Sequence, residues 1–317
     1  MANPARSTAD LRRLELERTK KRGKLERNYM GWFFLIPWII GFVVFKLYPM
    51  LSSLVFSFSN YHLFNGISKW GFMNYTKIFL DETTRSTLLV TVKYAFITVP
   101  LKLVAALFIA YILNFKIKFV NAFRTAYYIP SILGGSVAIA VLWKSLFRDD
   151  GLINALLGVF GVAGPSWLTD PTYALLVISF LRVWQFGSAM VVFLAALKGI
   201  PQDLYEAATI DGASPFKQFV SITIPMITPV IFYNLITQLV QAFQEFNGPY
   251  IITRGGPLNS TTLISLLIYN NAFKTYNMGM ASAMAWVLFI IVMLLSAVAF
   301  MSQKYWVYYG DDDGRTK

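Results

Sequence analysis

The stretch GIPQDLYEAATIDGASPFKQFVSITIPMITP, residues 199–229, is a polar interruption between two long apolar segments, and the fold turns on how it is read. Its first half has the marks of a short helix. Pro201 suits a first helical turn, Asp203 and Glu206 favour the positive end of the helix dipole, and Gly212 can take the left-handed conformation that ends it. Ser214-Pro215 then opens a second helix, serine as N-cap and proline at the first position, which runs through Phe216 and Phe219 into the next apolar segment. About ten residues of helix reach only about 15 Å. With Asp203, Glu206 and Asp211 aboard, this helix does not cross a bilayer. The stretch is expected to form a helical hairpin held in water between two membrane spans, open to a partner.

The rest of the chain has the composition of those spans. Hydrophobic residues make up 56% of the 317 positions and charged residues only 14%, which excludes an ordinary soluble domain and indicates an integral membrane protein. Cysteine is absent, so there is no disulfide, thiolate nucleophile or cysteine-ligated metal. His62 is the sole histidine, which excludes a His-rich metal site, and no metal is expected. The formal charge of +12 comes from basic residues that flank the apolar spans, so it reads as an orientation signal and not as a nucleic-acid surface.

Six spans are expected in an all-α body: Met30–Phe56, Leu88–Leu113, Ala126–Phe147, Tyr173–Leu197, Ile222–Phe243 and Ala281–Met301. Residues 1–28 are too polar to insert. The apolar run that follows them is too long for a signal peptide and is read as an uncleaved span. This divides the chain into a charged tail (1–28), a transmembrane body (29–303) that includes the hairpin at 199–221, and a second tail (304–317). One set of loops holds the N-terminal basic cluster, Lys116, Lys118, Arg124, the hairpin and Lys304. The other set, with Asp81, Glu82, Arg85, Arg148, Asp149, Asp150, Asp170 and Arg254 among its charged residues, has no such excess of bases. The positive-inside rule then puts the hairpin and both termini in the cytosol of a multi-pass plasma (inner) membrane protein.

Within the hairpin, Glu206-Ala207-Ala208, Asp211-Gly212-Ala213, Ile222 and Pro225 resemble the EAA loop in the membrane subunits of binding-protein-dependent ABC importers. Leu35-Ile36-Pro37, Tyr48-Pro49, Ser57-Phe58-Ser59-Asn60-Tyr61 and Met278-Gly279-Met280-Ala281-Ser282-Ala283 resemble the sugar-type permeases of that group, which includes maltose, lactose and glycerol-phosphate importers. The resemblance implies a type I importer permease fold, and a complex of this chain with a homologous second permease, two ATPase subunits and an extracytoplasmic binding protein. It implies that Tyr205, Glu206, Ala207, Ala208, Asp211, Gly212 and Ala213 dock into the ATPase, and that Arg254, Gly255, Gly256 and Pro257 contact the binding protein. ATP and Mg would belong to the ATPase subunits. Residues 255–262 lack the Gly-Lys-Ser/Thr ending of a phosphate-binding P-loop, so no cofactor and no catalytic residue is expected in this chain.

Polar side chains within a span face a bundle interior or a wet cavity. Asn234, Gln238, Gln241 and Glu245 recur at intervals of four, three and four residues in the fifth span, hence on one narrow face. Amides donate and accept, which suits saccharide hydroxyls; the structural alternative is interhelical hydrogen bonding. The fourth span adds Trp184, Gln185 and Ser188, and the resemblance assigns sugar contacts to these two spans. Arg182 needs a partner at its depth, either an acidic saccharide or phosphosugar, or else a salt bridge or backbone carbonyls, and the sequence favours the latter pair. Lys93 and Lys102, nine residues apart, lie on opposite faces of the second span and form no single anion site. An ion-coupled carrier would call for an acidic relay within the membrane. An intramembrane enzyme acting on lipid or glycan would call for a nucleophile, metal cluster or paired carboxylates. Glu245 alone is a candidate for the first and nothing answers the second.

Overall fold

The computed structural model describes residues 32–115 and 118–309. The tail at 1–28, the expected start of the first span at Met30, Lys116 and residues 310–317 lie outside the described residues. Two units are distinguished, residues 1–56 and 57–317. The described part of the first is the apolar helix α1 (Trp32–Ser57), whose last residue begins the second unit.

The second unit is helical throughout its regular elements: α2 (Met73–Leu80), α3 (Glu82–Asn114), α4 (Val120–Leu133), α5 (Val137–Leu146), α6 (Leu152–Val159), α7 (Pro171–Trp184), α8 (Gly187–Lys198), α9 (Gln202–Ile210), α10 (Pro215–Phe243), α11 (Ile264–Tyr269) and α12 (Met278–Trp306). Four helices, α1, α3, α10 and α12, are long and apolar enough to cross a membrane. The pairs α4/α5 and α7/α8 bring the number to six when each bent pair is taken as one span.

The central element is α3. Asp81 caps it, its carboxylate accepting from the Thr84 amide at 2.8 Å and the Thr84 hydroxyl at 2.7 Å, and the helix then runs through Pro100 without breaking. Its buried residues, among them Tyr94, Thr98, Lys102, Ala106 and Ala110, recur at helical spacing and form one stripe. The small Ala106 and Ala110 let α8 approach closely, and Met190, Phe193, Leu194 and Leu197 of α8 complete this core with Ile227 and Phe243 of α10. Large apolar side chains such as Phe96, Val104 and Phe108 stay exposed on the other face of α3, as a lipid-facing surface requires.

Two expected spans are not single helices. The segment expected at Ala126–Phe147 starts earlier, at Val120, and turns through 104° at Gly134-Gly135-Ser136. A β-carbon on Gly134 would sit 2.6 Å from Oε1 of Gln185, so a larger residue at the corner would push that side chain aside. The segment expected at Tyr173–Leu197 bends by 45° at Gln185-Phe186. There Gly187 rests on the α4 backbone, with room for no side chain: an added β-carbon would lie 2.4 Å from the Tyr127 carbonyl oxygen. Helix α10, by contrast, begins at Pro215, well before the expected Ile222, and passes both prolines unbroken. Pro229 has no N–H to offer the Pro225 carbonyl, and the Thr228 hydroxyl donates to that oxygen instead, at 2.6 Å.

Candidate functional site

The hairpin at 199–221 forms largely as its residues dictate. Pro201 occupies the cap position immediately before α9. At the other end the Asp211 amide donates to Ala207 O at 3.0 Å and the Ala213 amide to Ala208 O at 2.9 Å, closing a turn in which Gly212 takes φ +77°. Ser214 caps α10, its hydroxyl accepting from the Lys217 amide at 3.4 Å, with Pro215 in the first turn. Two contacts lock the hairpin to α10. The Gln218 amide donates to the Thr209 hydroxyl and to Ala213 O, both at 3.1 Å, and the Tyr205 hydroxyl meets the Thr223 hydroxyl at 2.8 Å.

None of Tyr205, Glu206, Ala207, Ala208, Asp211, Gly212 and Ala213 is buried, and Glu206 and Asp211 form no ion pair among the described residues. Beside them stand two large apolar side chains absent from the sequence-based set, Ile210 at 86% exposure and Phe216 at 78%. The signal for them was available: an isoleucine and a phenylalanine flanking a polar turn have no membrane to enter and no core to fill. The same end of the bundle gathers the end of α3, whose Tyr111 ring packs edge-on against Phe219 at 4.8 Å, and the end of α12, where the Tyr308 amide donates to the Thr228 hydroxyl at 2.8 Å.

The polar face of α10 divides. Asn234 is buried and returns its amide N–H to Val230 O of its own helix at 3.1 Å. Gln238 and Gln241 line a pocket with Tyr94, Thr98, Val99 and Lys102 of α3, Arg182 of α7 and Ala242. Its free volume of about 10 Å³ holds about one water, so in this conformation it is too small for a sugar ring. Glu245 is engaged elsewhere: its Oε2 lies 2.7 Å from Arg182 Nε and its Oε1 accepts from the Gly248 amide at 3.0 Å. Arg182 also donates to Gln185 Oε1 at 3.0 Å, and of the two structural partners expected for it, salt bridge or backbone carbonyls, the salt bridge is present. Gln185 is buried in that contact. Trp184, beside Trp143 at 5.6 Å between ring centroids, and the exposed Ser188 do not line the pocket.

Sequence reasoning missed Tyr94, Thr98 and Lys102 as pocket residues. Lys102 is indeed on the opposite side of α3 from the exposed Lys93, but it is the buried one of the two. The stripe Thr87, Thr91, Tyr94, Thr98, Lys102 has the same helical rhythm as the set on α10 and would have revealed it.

At the far end of the bundle the loop 254–259 turns on residues of positive φ, Arg254, Gly255, Leu258 and Asn259. Gly255 is buried, with Thr262 Oγ1 donating to its carbonyl at 3.0 Å, and Gly256 and Pro257 are half-buried. The apex is Leu258, 90% exposed, flanked by the exposed Arg254 and Asn259. Gly255 therefore shapes this loop, and Leu258 is the residue that its geometry presents.

A helical body with a hairpin projecting between spans is matched by the family model for binding-protein-dependent transport system inner membrane components over residues 79–307. The chain belongs to that family. Among its relatives, the permease is 46% identical over 295 residues to the probable ABC transporter permease protein YesP of Bacillus subtilis (strain 168), covering 92% of this chain and 95% of that one. It is 36% identical to the lactose transport system permease protein LacF of Rhizobium radiobacter, over 89% of this chain and 96% of the relative. The permease fold is shared with a chain of a bacterial alginate ABC transporter solved in complex with its alginate-bound periplasmic protein, with a TM-score of 0.78 at 22% identity over 89% of this chain and 96% of the other.

Proposed function

We propose that this permease is one of two homologous membrane subunits of an ATP-driven importer, and that it carries a saccharide delivered by an extracytoplasmic binding protein. The observation that carries the reading is the hairpin: an exposed apolar and acidic surface tied by Tyr205 and Gln218 to the helix that supplies Gln238 and Gln241 to the central pocket. Ile210 and Phe216 would enter a groove on a cytosolic ATPase, with Glu206 and Asp211 making polar contacts at its rim. ATP and Mg would be bound by two such ATPase subunits. The basic residues near the hairpin end, among them Arg124, Lys217 and Lys304, support a cytosolic location for it and for both termini. The apex Leu258, with Arg254, would face the binding protein on the other side. The permeases for lactose and for trehalose/maltose among the relatives, at 36% and 33% identity, support a saccharide as the substrate.

The test is the double variant Ile210→Asp/Phe216→Asp in the assembled transporter. Both residues are exposed, so the membrane body should insert normally. The ATPase should no longer co-purify and uptake should stop; full co-purification and uptake would refute the docking role.

A further inference from the structure

The central pocket carries a charge that its own residues do not balance. Lys102 is 4% exposed and lies well inside the 33-residue α3, where an ammonium needs a counter-charge. Arg182, the second cation of the pocket, already has its partner in Glu245 at 2.7 Å. Lys102 has none: the ion pairs among the described residues are Arg182–Glu245 and Arg148–Asp150, and no hydrogen bond engages its ammonium. With Lys102 protonated, two cations and one carboxylate would leave the site with a net charge of +1.

The neighbours of Lys102 are set to donate. The Tyr94 hydroxyl, at 0% exposure, and the Thr98 hydroxyl, at 3%, are buried side by side near Arg182, and neither makes a hydrogen bond of good geometry. Gln238 lines the same space and Gln241, which is exposed, reaches its rim. Both hydroxyls, the ammonium and the amide N–H groups can all donate to one acceptor. A neutral hydroxyl seated there would leave the ammonium uncompensated, whereas a carboxylate would satisfy the charge and both O–H groups together. The space is too small for a sugar ring, and with room for about one water it admits a single carboxylate oxygen in this conformation.

We infer that Lys102, with the Tyr94 and Thr98 hydroxyls, seats the carboxylate of an acidic saccharide while the ring lies outside against Gln241. The inference rests on the importer reading above and specifies its substrate class.

The experiment uses the complete transporter with its binding protein in proteoliposomes. Its probes are matched disaccharides of the gluco, galacto and manno series, each bearing either a C6 carboxylate or a C6 hydroxymethyl group. The wild type should import a carboxylate member. Lys102→Met should raise its half-saturation concentration at least tenfold, and so should the near-isosteric Tyr94→Phe/Thr98→Val, which guards against a folding defect. In the absence of sugar, Lys102→Met should melt no lower than wild type, because it removes an uncompensated buried charge. Import of the neutral members alone, with Lys102→Met unchanged, would overturn the acidic assignment and leave the importer standing. Import of no saccharide at all would overturn both. A Lys102→Met transporter that separates into its subunits would mean that an acidic residue of the second permease holds the ammonium, and the inference would fall.

Discussion

Replacing Glu245 by glutamine removes one charge and almost no volume, and it isolates the buried ion pair on which the join between α7 and α10 depends. In the native chain both carboxylate oxygens are used, Oε2 by Arg182 Nε at 2.7 Å and Oε1 by the Gly248 amide at 3.0 Å, and the side chain is only 7% exposed. The backbone carbonyl of the same residue accepts from the Ser265 hydroxyl, so Glu245 also ties down the first turn of α11. Glutamine can keep the bond to Gly248 through its own oxygen, but it leaves the guanidinium without a counter-charge. Breaking a buried pair from one side costs about 3–5 kcal/mol. For a body of this size that corresponds to a fall in melting temperature of roughly 6–20 °C. The assay is thermal melting of the detergent-solubilised transporter, followed by its monodisperse fraction on size exclusion. The double variant Arg182→Met/Glu245→Leu removes both charges and should recover most of the loss, since an apolar pair of similar volume replaces a desolvated ionic one. A Glu245→Gln protein melting within 2 °C of wild type would show that the pair contributes nothing and that water or another group solvates Arg182.

Other substitutions probe the close contacts. Gly187→Val drives a β-carbon to 2.4 Å from the Tyr127 carbonyl oxygen, and should reduce the yield of monodisperse permease severely, by about 3 kcal/mol or more in stability. Tyr205→Phe loses only the bond to the Thr223 hydroxyl, at about 1 kcal/mol. It should leave ATPase co-purification intact while lowering the ratio of sugar imported to ATP hydrolysed, measured in proteoliposomes. Thr228→Val removes both the donor that serves the Pro225 carbonyl and the acceptor for the Tyr308 amide, and should lower the melting temperature by more than Tyr205→Phe does.

What the sequence could reveal followed the range of the forces involved. Hydropathy located the four long apolar helices and both bent pairs because apolar length is a local property, and the hairpin was legible because each of its signals acts within one turn: Gly212 at positive φ, Ser214 as cap, Pro215 after it. The corner at Gly134 was not legible. Hydropathy averages over a bend, and the close contact at that corner is with the side chain of Gln185, a residue far along the chain. The Arg182–Glu245 pair was half legible, since cost alone demands a partner for Arg182 and only the packing of α7 on the segment after α10 says which. On α10 the polar rhythm marked the right face, yet it could not distinguish Asn234, satisfied by its own helix, from Gln238, which faces the pocket.

That face and the hairpin belong to one mechanical element, and this decides how docking at one end can act at the other. From Thr223, where Tyr205 is fastened, to Gln238 is fifteen residues, or about 22 Å of helix. A helix carrying Pro225 and Pro229 would be expected to flex there and absorb the displacement. Here the Thr228 hydroxyl occupies the carbonyl that Pro229 leaves free and also receives the Tyr308 amide, so the weak point is bound both to its own helix and to the segment after α12. In the proposed cycle a push on Ile210 and Phe216 therefore moves the hairpin, α10 and the end of α12 as one body. The give then comes where α10 meets α3 and α8, and the pocket between α10 and α3, with room for about one water, is the part of that interface already lined by polar groups that water or a substrate can satisfy as it parts.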